Sequence, residues 1–545
     1  MTREFEIDTE LFGRHTRLTI PASEFAGMNW PIERLGAGAI VFANQRGYTQ
    51  NAIQSQSLTA TEKCIFAHTG WRKLDDDWIY LHAGGGIGHA GAVPSVSVRL
   101  PGAAACYELR APSDAAVLRS AVVSSLNLIE LGPPAISFPT YAAIWRSVFG
   151  DADFALHMTG ETGAFKSEFA ALHQQHFGAN MNRLHLPGAW SSTANANESL
   201  AFHTKDALFV VDDFAPQGGI SELAKLHAAA DRVFRGAGNH AGRARLDSTA
   251  KLRQAKPPRA LILSTGEEIP RGQSLRARLL IVELSKGEID GRRLGECQHD
   301  ANDGLYALTV GGFVQWLAGR YEQSRAAFAA KIQDRRANGL LSAAHARTPE
   351  IVAGLQAAFE LFLEFAVASG AITTVEADRL GNRCWTALRD AAAAQARHQG
   401  ETEPTARFLC LIGFVLSSGR AHLADRRGGA PDGSERLCGW RPTNSAEWQS
   451  QGDCIGWIDG DAVYLEPTSA YRAAQIAARD AQQPFGISEP TLRKRLREKN
   501  LLASTDKARQ TLTVQRTVCG SQKDVLHFRR LTMLPELSDA QEDTE

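Results

Sequence analysis

Residues 160–167 read Gly160-Glu161-Thr162-Gly163-Ala164-Phe165-Lys166-Ser167, with the apolar run FALHM just before and the amphipathic stretch KSEFAALHQQHF opening inside it. No other stretch restricts the possible folds as strongly. A strand running through a glycine-bearing turn into a helix aims backbone N–H groups and a helix N-terminus at one small volume, which suits an anion. The spacing is that of the phosphate-binding loop G-x-x-x-x-G-K-[ST], with one departure: Phe165 stands where the last glycine is usual. That position needs a backbone shape that turns the lysine inward, and glycine adopts it without steric cost. The motif predicts that residues 160–167 cradle ATP, with Lys166 on the β- and γ-phosphates and Ser167 on Mg²⁺. The competing reading is a glycine-rich helix start with a solvated lysine.

About 45 residues later Leu208-Phe-Val-Val-Asp212-Asp213 forms an apolar run ending in two carboxylates. In phosphate-loop ATPases a strand-end acid holds Mg²⁺ and the next polarises the attacking water, so Asp212 is assigned to the metal and Asp213 to the base. Glu is the more usual base. A third apolar run, Leu261-Ile-Leu-Ser264-Thr265-Gly-Glu-Glu268, ends in small polar residues. In ring ATPases a strand between those bearing the loop and the acids ends near the γ-phosphate, a role for Ser264 or Thr265. Ser274-Leu-Arg276-Ala-Arg278 then leads into LLIVEL. An arginine at such a strand entrance can project into a neighbouring subunit's ATP, where it stabilises transition-state charge. Arg278 is the first choice and Arg276 the second.

At 545 residues the chain is too long for one core. The expected organisation is a multidomain α/β protein: a β-rich N-terminal domain (1–145), an ATPase core with a parallel sheet (146–307), an Ala-rich helical domain (308–427), a winged-helix-like domain (428–535) and a disordered acidic tail (536–545). In the first domain His68, Trp71, His82 and the glycines at 84–88 read as core and turn residues. A net charge of -1 confines any nucleic-acid contact to local patches. The eight cysteines form no CxxC pair, which argues against a zinc ribbon and fits a reducing cytoplasm. The first twenty residues lack an apolar segment of the signal-peptide kind, and no apolar run reaches about eighteen residues, so no membrane-crossing helix is expected.

The order of these motifs over residues 60–290 resembles the AAA+ ATPase domain of phage and genomic-island primase-helicases, a family similar to superfamily 3 and minichromosome-maintenance helicases. The stretches that carry it are FAHTGWRKLDDDWIYLHAGGGIG, GETGAFKSEFAALHQQHFG, LFVVDDFAP and LILSTGEEIPRGQSLRARLLIVEL. The TGAFKS loop looks like a form seen in that family, so Phe165 reads as a variant. The resemblance implies a ring of identical subunits with single-stranded DNA in its channel. Relatives often carry a primase-polymerase domain, but no paired-acid primase motif is found here, so any priming falls to a separate primase.

Two basic stretches are DNA candidates. Arg232-Val-Phe-Arg235-Gly-Ala-Gly-Asn239-His240-Ala-Gly-Arg243-Ala-Arg245 lies between the acids and the third apolar run. In the resembling helicases a β-hairpin there points into the channel, which makes Asn239, His240, Arg243 and Arg245 candidate contacts. The other is Ile487-Ser488-Glu-Pro490-Thr-Leu492-Arg493-Lys494-Arg495-Leu496-Arg497-Glu-Lys499. Leu492 and Leu496 would dock it as a helix, leaving Arg493, Lys494 and Arg497 on the open face. TLTVQRTV and DVLHFRRL would form a wing. The leading expectation is an ATP-dependent DNA helicase or translocase of a phage or mobile element. The alternative is a DNA-binding ATPase that regulates or defends without unwinding, and a small-molecule kinase is disfavoured by the C-terminal basic helix and Arg278.

Overall fold

The computed structural model describes residues 3–242, 245–246, 252–253, 255–338, 347–401, 403–444, 447–481 and 485–533. Arg243 and the acidic tail lie outside them, as does the side chain of Arg245, whose backbone is in the short strand Arg245–Leu246.

The chain divides at Cys64 into two units, not at the expected 145. The first holds the antiparallel hairpin Glu4–Leu11 and Arg14–Pro21, turned by Phe12 and Gly13 at positive φ, and three short helices. Ile20, Phe25, Met28 and Trp30 form its own small core. In the second unit, the four-stranded meander of residues 70–93 and the helices Ala115–Asn127 and Pro134–Val148 share one core with the sheet described next. Trp71, Tyr80 and Ile87 are buried in that core, and the Trp71 indole donates to the Val148 carbonyl at 2.9 Å. That shared packing is why residues 65–145 do not stand apart as a β domain. His82 is buried there, and Gly85–Gly88 is a strand of the meander.

The central sheet has five parallel strands in the order Gly188–Ala189, Leu208–Phe214, Leu261–Gly266, Ala155–Thr159, Leu279–Glu283. Its strands are near-continuous apolar runs because helices cover both faces. Leu156, Met158, Val210, Leu263 and Leu280 face one core, and Ala155, Phe209, Val211, Ile262 and Ile281 face the other, the two-residue period expected of strands. The strand from 155 lies between the one from 261 and the one from 279, so all the motif-bearing carboxyl ends meet along one edge.

Helices Leu305–Ala318, Tyr321–Asn338, Thr348–Ala368 and Thr374–Glu401 follow. They share the core of the sheet, which runs across the expected boundary at 307–308. Among the described residues Thr348–Ala368 is the one helix long and apolar enough to cross a membrane, contrary to the expectation that none is, and 78% of its apolar window is buried. Most of its surface packs into the core, and on one side Glu360 and Glu364 pair with Lys331 of the preceding helix.

Helix Pro404–Ser417 packs through Phe408, Ile412 and Leu416 into the last core, which therefore begins before 428. That core backs a five-stranded sheet ordered Ala421–Asp425, Asp453–Asp459, Ala462–Leu465, Ser521–Arg529, Val514–Val518. The two strands expected to form a wing pair as a hairpin, and Ser521–Arg529 is bonded on both sides, interior to the sheet.

Candidate functional site

The loop leaves the strand Ala155–Thr159 at Gly160, where any Cβ would collide with the carbonyl oxygen of Leu284 at the exit of the neighbouring strand. Glycine is required there by close approach. Phe165 takes the left-handed conformation (φ 64°, ψ 21°) at the N-cap of helix Lys166–Gln174. A non-glycine residue pays roughly 1–2 kcal/mol for that shape, so the departure in the motif is accommodated as strain. Its ring is 48% exposed, while Ala164 is buried. The Lys166 ammonium folds back and donates to the carbonyls of Gly160 (2.8 Å) and Glu161 (2.7 Å). Burial lowers its pKa, against the pull of Glu267, Asp212 and Asp213.

Across from the loop, the Ser167 hydroxyl donates to Asp212 Oδ1 at 2.9 Å. Thr265 Oγ1 donates to the same oxygen, and the Asp213 amide donates to Thr265 Oγ1 at 3.1 Å. Asp213 has φ 67°, and the pairing of its strand with Leu261–Gly266 slips between Val211 and Phe214. Such a bulge re-aims side chains. Burial, then Asp212 and Glu267, raise the Asp213 pKa, while Lys166 lowers it. Ser167, Asp212 and Thr265 make a hard oxygen set beside an anion cradle, which fits Mg²⁺ held by one carboxylate together with nucleotide phosphates.

Ser264 does not join this group. Alternation puts it on the opposite face, fully buried, where it is bonded to His157 Nδ1 (3.1 Å) and receives the Trp190 indole N–H (2.9 Å). Desolvation lowers the His157 pKa to about 4, so this cluster is neutral packing. Of the two strand-end candidates, Thr265 is the one bonded to Asp212.

Arg278 sits at the other end of the sheet. Its carbonyl accepts from the amide of Ala155, the first residue of the loop strand. Five residues of strand, about 16 Å at ~3.3 Å each, separate it from its own chain's loop. Arg276 instead donates to the Pro270 carbonyl at 3.3 Å. The Arg278 guanidinium donates to Asn239 Oδ1 from Nε (3.2 Å) and Nη2 (2.8 Å), and to Ser274 O and Oγ from Nη1 (2.6 and 2.8 Å). Asn239, expected as a nucleic-acid contact, thus has its side-chain oxygen engaged by Arg278.

The basic loop is shorter than expected, because helix Ile220–Gly238 continues through Arg232 and Arg235. Arg232 is paired with Glu198, and Arg235 with Asp231 at 2.6 Å. His240 is exposed at φ 48°. Beyond it Arg245–Leu246 pairs antiparallel with Leu252–Arg253. In the C-terminal region Glu489–Glu498 is a helix docked by buried Leu492 and Leu496. On its open side Arg497 is exposed, Lys494 faces Glu498 at 4.0 Å, and Arg493 is paired with Glu489.

Two site residues were not singled out from the sequence. Glu267 follows the strand that carries Thr265 and accepts from Thr162 in the loop; Lys286 follows the next strand and pairs with Glu161 at 3.2 Å. The signal available was position alone, since residues just past the carboxyl ends of parallel strands face the ligand crevice.

No family model matches the chain, and no curated protein is similar to it in sequence. A solved structure described as "SCCmec type IV Cch - active helicase" shares its fold, with a TM-score of 0.57 at 12% identity over 97% of this chain and 90% of that one.

Proposed function

We propose that this chain is an ATP-driven DNA helicase or translocase, acting as a cytoplasmic ring oligomer in the replication of a phage or mobile element. The observation that carries the reading is the convergence of Lys166, Ser167, Asp212 and Thr265 at one edge of a parallel sheet. The helicase-type fold along nearly the whole chain supports it. On this reading the five-stranded parallel sheet is an AAA+ phosphate-loop core, and the docked helix Glu489–Glu498 with its hairpin serves as a winged-helix-like DNA tether.

The loop amides and Lys166 bind the β- and γ-phosphates, an incoming polyanion replacing the two carbonyls that now hold the ammonium. Ser167 and Asp212 would hold Mg²⁺, which supplies Lewis-acid neutralisation of phosphate charge when bound. Thr265 fixes the orientation of Asp212 and the backbone of Asp213. Asp213, re-aimed by its bulge, accepts a proton from the attacking water. Arg278 lies too far from its own loop to assist, so it serves the site of an adjacent subunit.

The test is ATP hydrolysis with and without single-stranded DNA, together with displacement of an annealed strand. DNA-stimulated hydrolysis with displacement is expected. Stimulation without displacement would replace the motor by a DNA-binding regulator or defence ATPase, and no hydrolysis would remove the ATPase reading.

A further inference from the structure

We infer that Asn239 is the positioning residue of Arg278, through which the strand pair 245–246 and 252–253 sets the reach of that arginine toward a neighbouring subunit's ATP. The inference rests on the ATPase reading above. Its starting point is geometric: one oxygen, Asn239 Oδ1, accepts from both Nε and Nη2 of Arg278, and Ser274 takes Nη1 twice. Four of the five guanidinium hydrogens are thereby directed, fixing the plane of the group and leaving one Nη2 hydrogen for an incoming acceptor.

The fit is built from more than these bonds. Gly238 precedes Asn239 in a helix, and a Cβ there would lie 2.5 Å from Arg278 Cδ and 3.0 Å from its Nε. Glycine at this last helical position opens the path by which Arg278 crosses the helix end. Asn239 also terminates that helix, its amide bonded to the Arg235 carbonyl at 3.0 Å. One residue later His240 turns the chain with φ 48°, and Gly242 lies against the backbone of Lys256 and Pro257. The two legs leading to the strand pair are therefore pressed together close to Asn239. A shift of the strand pair on DNA moves Asn239, and with it two of the bonds that aim Arg278. Around the guanidinium, Arg347 and Arg235 repel it and Asp231 and Asp153 attract it. Without Asn239 only the Ser274 contacts at Nη1 hold the group in that mixed field.

The experiment measures kcat, KM for ATP and melting temperature of the full chain, with and without single-stranded DNA, for Asn239→Ala, Asn239→Asp, Gly238→Ala and the reference Arg278→Ala. An arginine supplied across a subunit boundary is worth on the order of 10³-fold or more in kcat. Asn239→Ala is expected to lose about tenfold in kcat, a small part of that contribution, with KM and melting temperature near wild type and DNA stimulation largely gone. Asn239→Asp, which keeps an oxygen for both donors, should restore most of the rate. Gly238→Ala should reproduce the loss by displacing Arg278 while leaving its partners intact. If Arg278→Ala hydrolyses ATP normally, the ATPase role of Arg278 fails and this inference falls with it. If Arg278→Ala is inactive while Asn239→Ala and Gly238→Ala keep wild-type kcat and DNA stimulation, the positioning role alone is overturned. A loss in Asn239→Ala that tracks a lower melting temperature and is not rescued by aspartate also overturns it.

Discussion

The amide of Ile281 donates to Oε1 of Gln395 at 2.9 Å, and Nε2 of the same glutamine donates to the carbonyls of Leu279 (2.9 Å) and Arg276 (3.2 Å). A side chain from helix Thr374–Glu401 thus stands in for a sixth strand at the open edge of the central sheet. Edge groups buried under a helix must find partners, and Gln395 is fully buried. Gln395→Leu should therefore cost about 2–4 kcal/mol, since each buried backbone group left unpaired costs roughly 1–3 kcal/mol. Chemical denaturation reads this directly. A change below about 1 kcal/mol would mean that the edge finds other partners.

The two neighbouring hydroxyls at the end of the strand Leu261–Gly266 should behave differently. Thr265→Ala removes the group that bonds Asp212 and receives the Asp213 amide, and kcat should fall about 10²-fold, the scale of one preorganised contact. Ser264→Ala touches only His157 and Trp190, so it should lower the melting temperature and leave kcat within about threefold. Steady-state ATPase and calorimetry on the pair separate the roles, and the reverse pattern would exchange them.

Asp213 predicts a pH dependence. Burial, Asp212 and Glu267 hold its carboxyl above the ordinary value of 3.8, with Lys166 opposing. The working form is the carboxylate, so the ATPase rate should rise with pH through the raised value. Glu267→Gln removes one like charge and should move that acid-side rise to lower pH. Stability runs the other way: a carboxyl with a raised folded pKa contributes stability that is complete below the unfolded value and lost as pH rises through the folded one. The check is the kcat profile of both proteins over the range where circular dichroism shows them folded. An unmoved rise would remove Asp213 as the titrating base.

The parts of this architecture with a short-range cause were legible in the sequence. Gly160 to Ser167, the strand carrying Asp212 and the docking pair Leu492 and Leu496 each follow from local spacing, and the structure places each on the predicted kind of element. The choice between Ser264 and Thr265 was not legible, because it depends on which face of the strand meets Asp212. Nor was the engagement of Asn239, whose partner is 39 residues away. The merging of cores was not legible either: Trp71 and Tyr80 look like an autonomous β layer in sequence yet pack into the core of the central parallel sheet. Composition cannot reveal such sharing.

Arg278 lies about 16 Å of strand away from its own loop, which makes a shared site testable by mixing. Lys166→Ala and Arg278→Ala proteins should each be inactive alone, since each lacks one half of every site. In mixed oligomers some interfaces join an intact loop to an intact arginine, and activity should reappear. Absence of rescue, with both variants assembling as wild type by light scattering, would argue that Arg278 acts within its own chain.

The last prediction separates a motor from a tether. The strand pair at 245–253 and the helix Glu489–Glu498 are both basic stretches, but they should fail differently. A channel loop grips DNA only during the ATP cycle, so Arg243→Ala with Arg245→Ala should slow strand displacement more than it weakens resting affinity. A docked helix works by standing contacts, and each phosphate neutralised adds to the salt dependence of binding. On that helix Arg493 is paired with Glu489 and Lys494 faces Glu498, whereas Arg497 is exposed. Arg497→Ala should therefore reduce the salt slope by about one, more than Arg493→Ala does, with basal ATPase kept. DNA affinity at several salt concentrations and displacement at saturating DNA measure both effects. If the loop variant displaces strands at the wild-type rate, the proposed channel loses its grip residues, and a DNA-tethered regulator becomes the better account of the proposed ATP site.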